Sequence, residues 1–137
     1  MSDYQVLTTT TTVTDDRTWL ASLDGVHEAQ TIPIDTSKLT LGTHYMAGTL
    51  DQPRNIIKSG LPLGKITTSG LYAPYNAGAS DGTQILAGFL VAETAFTPGS
   101  LRTAGALLWR GEVYASKLPV ALTAPAAANT TAFIHYR

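Results

Sequence analysis

Residues 56–92 read IIKSGLPLGKITTSGLYAPYNAGASDGTQILAGFLVA, and this stretch decides the fold. Short apolar runs alternate in it with Gly, Pro, Asn-Ala-Gly and Asp-Gly, which are turn-forming residues. The pattern is typical of brief β-strands joined by tight turns. Its charged residues are Lys58, Lys65 and Asp81, and it contains no His, Glu or Cys. The stretch therefore predicts that the middle of the domain has a structural role and contains no catalytic site.

The flanking segments predict further short strands. Gln30–Asp35 places Ile32 and Ile34 on one face, and Pro33, which has no amide donor, favours a sheet edge or a bulge. Within the central stretch, residues 84–92 are apolar on both faces and predict the most buried strand. We therefore expect a mainly β chain, with a compact antiparallel domain of the barrel or sandwich type, short helical turns and an extended N-terminal arm.

Residues 106–114 predict a strand whose faces alternate well. Leu107, Trp109 and Val113 share one face of it. The opposite face is mixed in character and consists of Leu108, Arg110, Glu112 and Tyr114. Because a partner would help so small a chain to bury apolar surface, we expect oligomerisation through this strand.

Residues 1–18 predict an extended arm, and residues 19–137 predict the β-rich domain. Thr8–Thr12 are five consecutive threonines between Leu7 and Val13. Threonine is β-branched and favours extended backbone, yet the run has few apolar groups to bury. Such a segment does not offset the entropy of its own ordering, but it can add as a strand to an open sheet edge. An arm packed on its own domain is the alternative.

The junction of the arm and the domain contains Trp19. The acids that open residues 15–23 favour a short helical turn there. We interpret Trp19 as an anchor that ties the base of the arm to the domain. A direct interface role is the alternative, because tryptophan is enriched where surfaces are desolvated.

The charge of the chain is low and unevenly placed. The length of 137 residues fits one domain. The net charge is −1, and 14% of the residues are charged, which fits a surface partly covered by other protein. Residues 1–55 carry seven acids and three bases, whereas residues 56–137 carry three acids and six bases. The two parts either meet differently charged surfaces or differ by chance. The bases are scattered, so we expect no nucleic-acid partner.

The sequence also lacks targeting and membrane signals. The start, MSDYQVLTTTTT, has neither a basic region nor an apolar core, so it does not predict a signal peptide. No apolar run approaches the roughly 20 residues that span a bilayer. We expect a soluble protein that is synthesised in a cytoplasm and has no membrane partner.

No catalytic constellation is found in the sequence. It contains no Cys and no G-x-S-x-G nucleophile motif. His27, His44 and His135 are far apart and lack the spacing of zinc ligands. Pairs of acids could be proposed for sugar hydrolysis, but acids in loops are usually only solvated. We expect no enzymatic activity, no metal and no cofactor.

Several motifs of the chain resemble a known family in their order and spacing. They are GLPLGKI at 60–66, GLYAPY at 70–75, DGT at 81–83, GFL at 88–90, GALLWRGEV at 105–113 and KLP at 117–119. Together they resemble the head decoration proteins of lambda-like tailed bacteriophages over residues 31–137. The resemblance implies a structural virion protein on the outer surface of the phage capsid, synthesised in the host cytoplasm.

What the resemblance implies about partners is specific. Members of this family bind as homotrimers at three-fold and quasi-three-fold positions of the expanded head, where they bridge and stabilise major capsid proteins. Their arms order on the capsid and add a strand to the capsid protein. The arm lies outside the residues that carry the resemblance, and from its composition we expect its capsid-binding residues to be Val6, Leu7, Thr8, Thr9, Thr10, Thr11, Thr12, Val13 and Trp19. The implied trimer interface consists of Leu108, Arg110, Glu112 and Tyr114.

A second class of function stays open at this point. A small β-sandwich module displayed on a virion could bind glycans, for which exposed aromatic rings on one concave face would be needed. The candidate rings are Tyr72, Tyr75, Trp109 and Tyr114.

Overall fold

The computed structural model describes residues 17–22, 25–51 and 53–137. Strand makes up 37% of the structure and helical turns 9%, which confirms the prediction of a mainly β chain. The helical part of the described residues consists of 3-10 turns of three residues each. The strands in the same residues are β1 Gln30–Asp35, β2 Tyr45–Met46, β3 Asn55–Ile57, β4 Pro62–Lys65, β5 Tyr72–Pro74, β6 Gly88–Leu90, β7 Thr94–Phe96, β8 Arg102–Leu108, β9 Arg110–Val113 and β10 Phe133–Tyr136.

Five of these strands close into a barrel in the order β1-β5-β4-β6-β8. β1 and β8 form its longest ladder, antiparallel from the pair Gln30–Leu107 to the pair Asp35–Arg102. β5 lies parallel to β1, and the other neighbouring pairs of the barrel are antiparallel. Two small sheets flank the barrel, one with the order β2-β3-β7 and one that pairs β9 with β10.

β1 follows the alternation that its sequence predicts. Ile32 and Ile34 point into the barrel and are almost fully buried, whereas Pro33 between them is exposed. Since the barrel is closed, β1 has no free edge, but its contact with β5 consists of the single pair Ile34–Tyr72. The sparse pairing on that side explains why a residue without an amide donor is tolerated there.

β6 separates two apolar clusters. Gly88, Phe89 and Leu90 are all buried, as the apolar run predicted, although the regular strand is shorter than residues 84–92. Successive side chains of a strand point to opposite faces, so Leu90 and Phe89 enter different clusters. We name these the barrel cluster, formed by Ile32, Ile34, Ile57, Leu61, Leu63, Ala87, Leu90, Phe96 and Leu107, and the outer cluster, formed by Trp19, Leu86, Phe89, Val91, Leu108 and Val113.

Gly88 allows β6 to approach β8 closely. Its φ angle is 155°, and a Cβ atom at this position would lie 2.3 Å from the carbonyl oxygen of Leu108. Any side chain would force the two strands apart and open both clusters. Glycine is therefore required here by the space between two backbones as well as by conformation.

The strand predicted over residues 106–114 is in fact two strands. β8 ends at Leu108 and β9 begins two residues later, because the chain leaves the barrel at Trp109 and β9 pairs in parallel with β10. The indole Nε1 of Trp109 fixes this corner by donating to the carbonyl of Glu28 at 2.8 Å. The prediction that Leu108 shares a face with the residues after the break is wrong, since Leu108 is fully buried in the outer cluster. Those residues are Arg110, Glu112 and Tyr114.

The helical part of the described chain consists of short turns, as the sequence predicts. The described part of the helical turn predicted over residues 15–23 is a single turn, closed by the amide of Leu20 on the carbonyl of Arg17 at 2.9 Å. The alanine-rich segment near the C-terminus forms one 3-10 turn, Ala127–Asn129. Both segments are too short to develop the cooperativity that stabilises an α-helix.

The hydroxyl group of Tyr136 generates the first prediction. It is buried in the outer cluster and has no hydrogen-bond partner among the described residues. An unpaired buried hydroxyl is destabilising, so we expect Tyr136→Phe to raise the free energy of unfolding by about 1 kcal/mol at pH 7. Urea denaturation measures this, with Tyr114→Phe as a control that changes it little. A less stable Tyr136→Phe protein would show that the hydroxyl is bonded.

The same residue predicts an alkaline limit. Burial, and secondarily the neighbouring Tyr75, raise the pKa of Tyr136 to about 12. The unfolded chain loses this proton near pH 10, so between these values the unfolded state binds fewer protons. Stability should therefore fall as the pH rises above about 10 in the wild type, and less so in Tyr136→Phe.

Candidate docking surface

The arm residues expected to bind a capsid, Val6–Val13, lie outside the described residues. The described chain starts at Arg17. We define the root of the arm as residues 17–22, and its contacts fix where the arm joins the domain.

Trp19 is the centre of the root. Its side chain is 1% exposed and lies in the outer cluster, with its rings 6.1 Å from the ring of Phe89. The indole Nε1 donates to the hydroxyl of Ser59 at 2.9 Å, and that hydroxyl donates to the carbonyl of Val91 at 3.2 Å. A buried indole with a satisfied N–H is a well-held side chain. Burial favours the anchor interpretation of Trp19 over a direct interface role.

Gly60 makes room for the indole. Its φ angle is 83°, and a Cβ atom on it would lie 2.8 Å from the Trp19 ring. The Ser59-Gly60 pair therefore acts as the seat of Trp19, with the serine bonding the edge of the ring and the glycine accepting its face. The sequence identified Gly60 as a turn, but nothing in it indicated the seat.

Backbone hydrogen bonds hold the root against β9. The amide of Tyr114 donates to the carbonyl of Trp19 at 2.7 Å, and the amide of Ala21 donates to the carbonyl of Glu112 at 3.0 Å. Between these bonds, Leu20 forms an antiparallel bridge to Val113. β9 thus lies between the root and β10.

Two of the residues predicted for the trimer interface form ion pairs within the chain. Arg110 pairs with Glu28, and Glu112 pairs with Arg137, each at 3.4 Å. The side chains are 30–55% exposed, and such pairs contribute at most about 1 kcal/mol. They could be exchanged for contacts with another chain at low cost. The interface role of these residues remains a prediction.

The three-stranded sheet presents an apolar row to the outside. Met46, Ile56 and Ala95 lie directly opposite one another on β2, β3 and β7. Met46 is 62% exposed, and the other two residues are partly exposed. The opposite face of the sheet packs inward, as the contact of Tyr45 with Phe96 shows. We name Met46, Ile56 and Ala95 the outer row.

A groove of about 290 Å³ connects the outer row to the root. Met46 and Trp19 both line it. The remaining lining residues are Lys58, Ser59, Glu93, Lys117 and Pro119. The lining therefore combines apolar and charged side chains, both of which occur in protein contacts.

His44 holds the loop that leads into β2. The backbone amide of Thr40 donates to its Nδ1 at 2.8 Å, and a nitrogen that accepts a hydrogen bond carries no proton. Lys58 braces the same loop by donating from its Nζ to the carbonyl of Gly42 at 2.7 Å. Burial, and then the charge of Lys58, lower the pKa of His44 below its ordinary value of 6.5.

The aromatic residues considered for glycan binding have different surroundings. Tyr72 and Trp109 pack against the barrel cluster, and Tyr75 packs against the outer cluster. Tyr114 lies beneath the ammonium of Lys117, 5.2 Å from its ring centroid. The four rings are thus drawn into separate contacts and do not favour a common sugar-binding face.

The described part of the chain contains no cluster of metal-ligating side chains. No three His, Asp or Glu side chains in residues 17–22, 25–51 and 53–137 form a group that could hold a metal ion. In those same residues there is no helix of the length and hydrophobicity that crossing a membrane requires. The structure offers backbone edges, an apolar row and exchangeable ion pairs, all of which suit contact with protein.

A comparison with protein families gives a match over most of the chain. The family model of the bacteriophage lambda head decoration protein D matches residues 26–135. The match begins after the root and ends in β10, so it covers the barrel and both small sheets. No curated protein and no solved structure matches the chain. The family match confirms the resemblance seen in the sequence motifs.

The seat of Trp19 generates a prediction. We expect Trp19→Ala to lower the free energy of unfolding by about 3–5 kcal/mol, because it leaves a cavity in the outer cluster and removes the partner of Ser59. Trp109→Ala, which removes a partly exposed indole, should cost clearly less. Guanidinium denaturation followed by circular dichroism measures both. Equal losses would show that Trp19 is not specially anchored.

His44 generates a second prediction. Because its pKa is lowered in the fold, the unfolded state binds more protons as the pH falls below 6.5, and stability should decrease between pH 7 and pH 5. His44→Asn retains an acceptor for Thr40 without the titration, so this pH dependence should shrink. Lys38 and Asp81 line the same pocket as His44, and hydrogen bonds from Thr83 lower the pKa of Asp81, so this carboxylate stays ionised over this range. Urea denaturation at pH 7, 6 and 5 measures the free energy of unfolding of both proteins. The same change of this free energy with pH in the wild type and in His44→Asn would contradict the prediction.

Proposed function

Because this chain belongs to the family of the bacteriophage lambda head decoration protein D, its role is structural and its location is the phage capsid, and we propose that it binds the outer surface of the expanded head as homotrimers. The trimers occupy three-fold and quasi-three-fold positions and bridge neighbouring major capsid proteins. The family match over residues 26–135 is the observation that carries this proposal. Synthesis in the host cytoplasm belongs to the same proposal.

The division into an arm, residues 1–18, and a domain, residues 19–137, supports a two-part attachment. The arm includes five consecutive threonines and has little apolar surface of its own. An extended, β-branched segment can satisfy its backbone groups by adding to a sheet edge of the capsid protein. Because Trp19 is buried in the domain, a load on the arm passes directly into the outer cluster.

The proposed trimer contact uses the surface of β9. Arg110, Glu112 and Tyr114 are accessible there to different degrees, whereas Leu108 supports them from inside the core. Exposed ion pairs reorganise cheaply, so these charges can turn toward a neighbouring copy. Closed three-fold symmetry would then repeat the contact three times and leave none unpaired.

Stabilisation of the shell follows from selective binding. A protein that binds the expanded lattice and not the unexpanded one stabilises the expanded state by mass action. Three arms on one trimer act as a multivalent set, so each single contact can be weak. No chemical step is needed for this activity.

Removal of the arm tests the proposal. We expect a protein lacking residues 1–14 to remain folded and trimeric but to lose binding to undecorated expanded heads, because the strand contact is gone and the root is retained. Co-sedimentation with heads measures occupancy, and analytical ultracentrifugation measures the trimer. Unimpaired occupancy by the truncated protein would refute the role of the arm.

A matched pair of variants separates strand addition from arm length. Thr9→Pro with Thr11→Pro removes two amide donors from the arm and should reduce occupancy nearly as much as truncation. Thr9→Val with Thr11→Val keeps the donors and the β-branched shape and should bind like the wild type. Equal binding by the two variants would argue against a strand contact.

A further inference from the structure

We propose that the bond between Asp81 and Gly82 is a site of spontaneous backbone isomerisation, which the fold slows by holding both reacting groups in hydrogen bonds. The product is an isoaspartate at residue 81. This modification does not require the proposed function, because it depends on the chemistry of one surface loop. Residues 76–83 of this loop lie outside the docking surface and the proposed trimer contact.

The reaction needs only these two residues and water. The amide nitrogen of Gly82 attacks Cγ of the neutral Asp81 carboxyl, and the amide proton leaves with the carboxyl hydroxyl as water. Hydrolysis of the resulting succinimide ring at Cγ restores aspartate. Hydrolysis at the α-carbonyl gives isoaspartate, in which the main chain runs through Cγ. The water lost in the first step is regained in the second, so the mass of the chain is unchanged.

The fold cannot hinder this attack with a side chain at position 82. Gly82 has a φ angle of 114°, and a Cβ atom on it would lie 2.3 Å from a backbone carbonyl oxygen of β4. Asp35 provides the contrast within the chain. Its Oδ1 accepts from the amide and the hydroxyl of Ser37, but the residue that follows it is the β-branched Thr36. Asp81 instead is an exposed aspartate followed by a residue that has to be glycine.

Hydrogen bonds direct the two reacting groups away from each other. Oδ1 of Asp81 accepts from the amide of Thr83 at 3.0 Å and from the hydroxyl of the same residue at 2.6 Å. The amide of Gly82 donates to Oε1 of Gln84 at 2.8 Å. Both groups must leave these partners before the ring can close, so the folded loop restrains the first step.

The same hydrogen bonds keep the carboxyl in its less reactive form. The hydroxyl of Thr83, and then its amide, lower the pKa of Asp81. Lys38 has a smaller effect in the same direction, and His44 lines the same pocket. An ionised carboxylate is a poor electrophile, so bonds that stabilise its charge also slow the attack on Cγ.

Isomerisation would disturb close packing against β4. Thr83 is 3% exposed, and a Cβ atom on Gly64 of β4 would lie 2.7 Å from its Cα. On the other side, the amide and hydroxyl of Thr67 donate to the carbonyl of Asp81 at 2.9 and 3.1 Å. Isoaspartate adds one methylene group to the main chain between these contacts. Because the packing leaves no room for it, the loop must shift and both bonds from Thr83 to the carboxylate are lost.

The test follows isoaspartate in the full-length protein during storage at pH 7. Peptide mapping by mass spectrometry with electron-transfer fragmentation locates it at residue 81 and separates it from any at residues 24–25, the other Asp-Gly of the sequence. We expect about tenfold faster accumulation in Thr83→Val, which removes one charge-assisted hydrogen bond and keeps the amide and the branched shape. Gln84→Met frees the amide of Gly82, leaves the buried Thr83 intact and should also accelerate the reaction. Wild-type protein unfolded in urea should react faster than the folded protein.

Ser37→Ala is the matched control. It removes the hydroxyl that bonds Asp35, as Thr83→Val does for Asp81, but the side chain of Thr36 still hinders the attack. No isoaspartate should therefore appear at residue 35. The isomerised protein, separated by ion exchange, should unfold at a lower urea concentration than the unmodified protein.

Three results would overturn the proposal. The first is an unchanged rate at residue 81 in Thr83→Val and Gln84→Met when circular dichroism shows both to be folded. The second is an equal rate in the folded and the urea-unfolded wild type. The third is isoaspartate at residue 35 in Ser37→Ala, since glycine would then not decide the site. None of these measurements involves phage heads, so they are independent of whether the chain binds them.

Discussion

The indole of Trp19 seated on Ser59-Gly60 is the constraint that holds residues 17–22 on the domain. Gly60 has no side chain to collide with the ring and also adopts a positive φ, and the Ser59 hydroxyl accepts from the indole N–H and donates to the carbonyl of Val91. The seat joins the root to β6, and β6 is the wall shared by both apolar clusters. The root is thus held by the packing of the outer cluster and not by a surface loop.

The rest of the fold keeps that seat rigid, although it contains few long strands. The strands are short, so stability comes from closure of the barrel and from strands that contribute to two clusters at once. Gly88 shows the dependence most clearly, because its missing side chain lets β6 lie against the carbonyl of Leu108. Close packing of this kind has low compressibility and transmits strain, so the described body of the domain resists deformation as one unit.

Local sequence patterns predicted the strands, whereas contacts between residues distant in the sequence could not be predicted from them. The alternation in β1 and the apolar run around Phe89 are local, and both were confirmed by burial. The break at Trp109 is decided by Glu28 and by the parallel partner β10, neither of which is near it in sequence. For this reason Leu108 was wrongly assigned to a surface. The seat of Trp19 lies forty positions away and was missed for the same reason.

In the candidate site, too, features encoded by local sequence could be predicted, and features that depend on strand pairing could not. The arm is predicted from composition alone, because five threonines with few apolar groups to bury favour an extended segment that needs a partner, and its binding residues lie outside the described chain. The outer row could not be predicted in this way, since Met46, Ile56 and Ala95 meet only after three strands have paired. If the three arms of the proposed trimer contact the capsid, the relative positions of these weak contacts are set by the three rigid seats. Only a lattice with matching spacing satisfies all of them together, so rigidity in the domain becomes selectivity for one state of the shell.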